Sequence, residues 1–326
     1  MESLPNFSLL RPRSIAEAVA ARAGAGEIRF LAGGTDLLPA LRHGLMQAST
    51  LIDLSNVAEL RGITSDRDGV RIGAGTTIQE LSAHPLVARD YPAVAEAAVA
   101  IAGPTHRAVG TVGGNLCVDT RCRFYNQSEP WRTANNFCMK LAGDICRVAP
   151  KADRCYAAYS GDLAPALIAH AAIAEIIGPA GLRHAPLADV FTDDGIVYLT
   201  LAPGELLVSV RLPAAPGWRS GYEKIRTRGA IDFPLVGVAV ALRCENGRLR
   251  ELRVVVTGTD SCPLSIVGLD DICALPLDEA LTRLDKLVRK QVGPMETTLA
   301  PATYRRRVVP VLARRLINRL LPGVPA

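Results

Sequence analysis

"EIRFLAGGTDLLPALRHGL", residues 27–45, sets a short apolar run against a double glycine and then a helix-period pattern. Residues 27–31 read as a strand and "LLPALRHGL" as a helix, so the unit is strand, glycine-rich turn, helix. Gly33 and Gly34 permit positive φ and close backbone approach. Successive N–H groups in such a turn make an anion-binding nest, the helix start adds its positive dipole end, and Thr35 adds a hydroxyl. The stretch is neither GxGxxG nor GxxxxGK[ST], which excludes a plain Rossmann or P-loop reading. "RIGAG" (71–75) has two of the three fingerprint glycines and is read as structural.

Working outward, "AVGTVGGNLC" (108–117) is a second glycine-rich turn. Two nests, the second at Gly113, Gly114 and Asn115, suit one long diphosphate ligand gripped from two segments. Around them, 50–55 reads as a strand, 69–84 as strand, turn and helix, and 92–103 as an apolar helix ending before Pro104. Residues 161–178 read as helix then strand, and 205–213 as a strand. Residues 220–266 read as strands with "ENGR" a hairpin signal, and 277–292 and 302–321 as helices. "LPAAPGW" (212–218) marks a domain boundary. The expected class is α+β.

The chain has 326 residues, 49% of them hydrophobic, with a mean hydropathy of +0.19. That is enough for a sizeable core in two or three domains. The start, "MESLPNFSLLRPRSIAEAVA", lacks the basic and apolar regions of a signal peptide, and no window has the ~18 apolar residues of a span. A cytoplasmic protein without membrane contact is expected. The net charge of +5 is mild, and basic residues concentrate only in "YRRRVVPVLARRLINRL" (304–320). Val308, Leu312, Leu316 and Leu320 recur there every fourth position, so this reads as an amphipathic helix with a solvated basic face. No nucleic-acid partner is expected.

Against that setting, "CRFYNQSEPWRTANNFCMKLAGDICRVAPKADRC" (122–155) spends four cysteines on a stretch without clear periodicity. Cytosolic thiols in a cluster point to metal or catalysis rather than to disulfides. Cys122, Cys138, Cys146 and Cys155 are separated by 15, 7 and 8 residues. That matches neither a zinc ribbon nor a bacterial ferredoxin run. The spacing leaves zinc, an iron–sulfur cluster and free thiols open. Cys117, in "GGNLC", is assigned to the glycine turn or to packing; Cys244, Cys262 and Cys273 read as core residues.

"AGGTDLLPALRHG", "IAGPTHRAVGTVGGNLC", "GDLAPAL" and "KIRTRGAIDFPLVGVA" together resemble the FAD-binding medium subunits of the xanthine oxidase family of molybdenum enzymes, essentially end to end. The resemblance implies a two-part FAD-binding domain of the vanillyl-alcohol-oxidase and CO-dehydrogenase flavoprotein type over 1–215. Its subdomains are about 1–55 and 56–215, and a C-terminal α+β domain with an antiparallel sheet and helices covers 216–326. Asn115 and Asp162 stand 47 positions apart, farther than in most such subunits. The extra stretch, 118–158 with "DTRCRFYNQSEPWR", resembles the β subunits of 4-hydroxybenzoyl-CoA reductases. That resemblance implies a [4Fe–4S] cluster on Cys122, Cys138, Cys146 and Cys155.

It further implies that Arg29, Phe30, Leu31, Ala32, Gly33, Gly34, Thr35 and Asp36 cradle the FAD diphosphate from one side. Gly110, Thr111, Val112, Gly113, Gly114 and Asn115 would do so from the other, with Ile101 also at the flavin. Asp162 would bind the adenosine portion, or serve as a helix N-cap, and Lys224 would lie by the flavin ring. The sequence shows no nucleophile with a base and no HExxH, so no substrate catalyst is expected here. The implied role is a relay in a heterohexamer. Electrons would pass from ferredoxin by [4Fe–4S] and FAD to [2Fe–2S] in a small subunit and molybdenum in a large one, for reductive dehydroxylation of 4-hydroxybenzoyl-CoA to benzoyl-CoA. Outward flow to NAD or another acceptor, and a zinc-stabilised assembly subunit without redox work, are the alternatives.

Overall fold

A computed structural model describes residues 3–22, 24, 26–245 and 248–321. The chain starts with β1 (Ser8–Leu10), α1 (Ile15–Arg22), β2 (Ile28–Leu31), α2 (Leu37–Arg42) and β3 (Thr50–Asp53). These strands form a small parallel sheet in the order β1-β3-β2. The strand–turn–helix unit read from residues 27–45 is therefore present, and it places the double glycine at the carboxyl end of β2.

Next come β4 (Ile63–Asp66), β5 (Gly69–Gly73), and the helices α3 (Ile78–Ala83), α4 (Pro85–Asp90), α5 (Pro92–Ala100), α6 (Pro104–Arg107) and α7 (Val112–Leu116). Thr77 opens α3 with a capping box, its hydroxyl accepting from the Glu80 N–H while the Glu80 carboxylate accepts from the Thr77 N–H. The insertion carries α8 (Glu129–Ala134), a helix absent from the sequence reading. After it follow α9 (Leu163–Ala169), β6 (Ile173–Gly178), β7 (Gly181–Pro186) and β8 (Leu206–Pro213). An antiparallel sheet runs β4-β5-β8-β6-β7, so the strand before the insertion pairs with one well beyond it.

The remainder is β9 (Trp218–Ile225), β10 (Val236–Glu245), β11 (Arg248–Thr257), β12 (Leu264–Ser265), α10 (Asp270–Cys273), α11 (Leu277–Gln291) and α12 (Ala302–Leu320). The sheet order is β12-β11-β10-β9, all antiparallel. The two central residues of the expected "ENGR" turn, 246 and 247, lie outside the described residues. β10 is buried on both faces. Val236, Val238, Val240 and Leu242 pack with α11 and α12, whereas Ala239 and Ala241 join the core of the preceding sheet, as a period of two dictates. Tyr222 and Val255 join that same core, so the second and third sheets share it.

α12 departs from its expected form at one residue. Leu312 and Leu316 are buried, but so is Arg305, which is fully enclosed rather than on a solvated basic face. Its guanidinium donates to the carbonyls of Leu235 (3.0 Å), Met295 (2.9 Å) and Gly258, and to the Thr297 hydroxyl (3.0 Å). Burial pulls its pKa down to about 10.

Candidate functional site

The turn after β2 and the segment between α6 and α7 meet face to face. A Cβ on Gly33 would collide with the Val109 carbonyl, and one on Gly110 would come within 2.9 Å of the His106 carbonyl and 3.7 Å of the Thr35 hydroxyl. Only glycine allows that approach. Gly34 has φ +71°, as the sequence anticipates, whereas Gly33 reaches its role through lack of bulk.

The second glycine segment differs from the expected nest. Gly113 and Gly114 lie in the first turn of α7, capped by the Thr111 hydroxyl, which accepts from the Gly114 N–H at 3.1 Å. The Val112 N–H donates to Thr76, the Gly113 N–H to Ala74 and the Asn115 N–H to Thr111. These donors are thus used inside the fold, because the segment must dock on the β5–α3 turn. Gly113 is needed for that docking, since a Cβ there would lie 2.9 Å from the Ala74 methyl.

Between the two segments runs a cleft of two adjoining cavities, about 440 and 590 Å³, which share Phe30, Ala32, Gly33, Gly34, Thr111 and Gly114 in their walls. The volumes suit a long ligand, each being of pocket size. Arg29, Thr35, Asp36, Ile101, Gly110, Asn115 and Asp162 line the first, and Leu31 and Gly113 the second. Val112 is not in the lining but fully buried in the core. Asn115 has a structural duty as well, its Oδ1 accepting from the Leu163 N–H at 3.1 Å to start α9.

Asp162 does not cap α9 with its side chain. Its carboxylate instead accepts from the Tyr222 hydroxyl at 2.6 Å and pairs with Lys224 at 3.0 Å, both ion-pair partners being almost wholly enclosed. Burial pushes Asp162 up and Lys224 down, and each partner offsets the other's shift. Lys224 lines neither cavity; it stands behind Asp162 and also donates to the Asp232 carbonyl at 3.2 Å. Lys224 thus holds two residues of the cavity wall, Asp162 and Asp232.

The cysteine insertion is anchored against the same cleft. Arg121 and Ala158 exchange two backbone hydrogen bonds of 2.7 Å and close its base. The Tyr125 hydroxyl donates to Leu45 at 2.9 Å and the buried Arg132 guanidinium to His43 at 2.9 Å, fastening the loop to the end of α2. Cys122, Cys138, Cys146 and Cys155 are all buried and all free of disulfides. Cys122, Cys138 and Cys155 pack in one apolar cluster with Tyr125 and Ala157. Burial raises Cys155 to about 12, opposed by the Ala157 N–H and the Lys140 ammonium; the Phe124 and Tyr125 N–H groups act likewise on Cys122. Donors aimed at sulfur in this way suit thiolate ligands. Among the described residues, no group of three His, Cys, Asp or Glu side chains is arranged to hold a metal ion.

Cys117 lines both cavities and packs on the core, and its thiol is raised to about 12 by burial, which agrees with its assignment to the glycine segment. Cys244 and Cys273 pack on the core under α11 and α12, and Cys262 on the larger core. Arg121, Asp119, Tyr198 and Phe233 also wall the first cavity and were not singled out from the sequence as flavin contacts. Arg121 and Asp119 lie in the quoted "DTRC" and Phe233 in "IDFP", but only the folded chain brings them to one place.

The family described as "FAD binding domain in molybdopterin dehydrogenase" matches residues 5–215. The carbon monoxide dehydrogenase medium chain of Afipia carboxidovorans is 30% identical over 318 residues, 96% of each chain. A putative xanthine dehydrogenase FAD-binding subunit of Escherichia coli K12 is 29% identical over 94% of each chain. Among solved structures, the cyanide-inactivated Cu,Mo-CO dehydrogenase contains a chain that superposes with a TM-score of 0.81 at 27% identity, over 98% of both chains. Among the described residues, no helix is long and apolar enough to cross a membrane.

Proposed function

The chain belongs to the FAD-binding domain family of the molybdopterin dehydrogenases, and on that premise we propose that it is the medium subunit of a molybdenum enzyme in which it holds FAD and a [4Fe–4S] cluster together. FAD is the cofactor of the cleft. The cluster is assigned to Cys122, Cys138, Cys146 and Cys155, and the single observation carrying it is that four buried, unpaired thiols sit in one insertion fastened beside the cleft, three of them in a single apolar cluster. Bound together, the two groups supply one-electron transfer.

The chain's own residues do the positioning. Residues 29–36 cradle the diphosphate from one side and Gly110, Thr111, Gly113, Gly114 and Asn115 from the other, Ile101 adds apolar contact, and the Asp162–Lys224–Tyr222 group fixes the adenosine end or the wall beside it. The 1–215 segment serves as the FAD-binding domain, with subdomains 1–55 and 56–215, and 216–326 as the C-terminal domain. The partners are a large molybdenum-cofactor subunit and a small [2Fe–2S] subunit in a heterohexamer in the cytoplasm. The reaction served is the reductive removal of the phenolic hydroxyl of 4-hydroxybenzoyl-CoA, with ferredoxin as donor.

The names of the relatives favour a second reading, in which the same subunit passes electrons outward from an oxidation to NAD or another acceptor. Anaerobic purification of the three-subunit complex separates the two. About four irons per medium chain beyond those of the small subunit, and reduction of 4-hydroxybenzoyl-CoA by reduced ferredoxin, support the first. Absence of that iron removes the cluster, and turnover only toward NAD establishes outward flow.

A further inference from the structure

Lys140 belongs to the cysteine insertion, yet its ammonium is buried where the insertion meets the flavin wall. Its side chain is 5% exposed, as is that of Asp119, which it meets at 2.8 Å. The ammonium also donates to the Thr120 hydroxyl at 2.7 Å and to the Gly195 carbonyl. It lies 4.9 Å from the ring centroid of Tyr125 and 5.5 Å from that of Tyr198.

Those neighbours belong to different sites. Tyr125 packs in one apolar cluster with Cys122, Cys138 and Cys155. Tyr198 and Asp119 wall the flavin cavity. One enclosed cation is therefore shared by the thiol group and the flavin cleft. Gly195, whose carbonyl accepts from Lys140, reinforces the junction, because a Cβ there would come within 2.8 Å of the Cys155 sulfur.

A buried ammonium carries a desolvation cost of several kcal/mol before pairing. Anchoring the loop does not require it, since the Arg121–Ala158 bridge, Tyr125 and Arg132 already do so. An enclosed charge acts on its surroundings far more strongly than an exposed one, because little water screens it.

We propose that Lys140 is a shared electrostatic control for both electron carriers, favouring an added electron on the thiol side and on the flavin side at once, with Asp119 limiting how much of its charge is felt. This rests on the cluster reading given above. It makes Lys140 a positioning residue for charge rather than a catalytic one. Both potentials therefore shift in the same direction.

The test is a redox titration of the anaerobically purified complex, following the cluster by electron paramagnetic resonance and the flavin by absorbance. Lys140→Met should keep wild-type iron and flavin while both midpoints shift to more negative potential. Asp119→Asn should shift both the other way, and Lys140→Arg should restore values near wild type. If Lys140→Met does not fold, Asp119→Asn decides alone. A midpoint unmoved in either folded, fully loaded variant overturns the inference and leaves the cluster reading intact. A wild-type complex lacking the extra iron overturns both.

Discussion

Asp36, two residues past the double glycine, is ion-paired with Arg121, the residue immediately before Cys122. The same guanidinium lies 5.0 Å from the ring centroid of Phe233, and its Nε is buried with no hydrogen-bond partner among the described residues. Three distant parts of the chain thus meet at one side chain on the cavity wall. Arg121→Met should raise the dissociation constant of flavin about tenfold, the scale of one lost charge-assisted hydrogen bond. Flavin fluorescence released on ultrafiltration measures it, and unchanged retention would show that Arg121 serves the wall without serving the ligand.

Cys138→Ser should remove iron from the medium chain while leaving flavin at its wild-type ratio. The substitution is nearly isosteric, so the loop stays tied at Tyr125 and Arg132. Iron and flavin per chain after anaerobic purification decide it, and iron at the wild-type level would strike Cys138 from the ligand set.

Gly114→Val should cut flavin content several-fold without equal loss of iron. Positive φ is not the reason, since Gly114 is helical; the new side chain would start 3.1 Å from the Thr111 hydroxyl and project beside the shared wall of both cavities. A folded variant that still binds flavin normally would place the ligand elsewhere.

His170 predicts a pH dependence. Burial lowers its pKa from 6.5 to about 4, and its Nε2 lies 2.8 Å from the Ser220 hydroxyl. The unfolded chain takes up the proton first as pH falls, so this contribution is complete above the unfolded value and is lost from about 6.5 down through about 4. Between pH 7 and 5 the loss is about 2 kcal/mol. His170→Gln, which can keep a hydrogen bond to Ser220, should flatten that slope in denaturant titrations. An equal slope in both proteins would show that other groups govern it.

Many strands and helices and both glycine segments were legible because each is a local pattern: apolar period, double glycine, proline stop; β1, α1, β7 and α8 were among the elements not read. Tertiary demands were not. The nest expected at Gly113 and Gly114 became a helical turn because its N–H groups are drawn to Ala74 and Thr111. Arg305, read among solvated arginines, went inside because carbonyls from Leu235, Gly258 and Met295 converge on it from residues far away in sequence. Lys224 showed as a cation near the site, but its direction depends on Asp162, 62 positions earlier. The cysteines were visible as a set, whereas the charge they share with the cleft, Lys140, was one basic residue among several in the loop.

The bridge between Arg121 and Ala158 brings the two ends of the insertion side by side. Opposed residues in such a pair stand ~5.5 Å apart, a gap that a tight two-residue turn can span. Everything between could be spliced out or transplanted while β5, β8 and both glycine segments keep their pairing. A lineage could thus acquire or discard the four-cysteine loop in one genetic event, and an engineer could graft it onto a flavin subunit that lacks it at the same two residues.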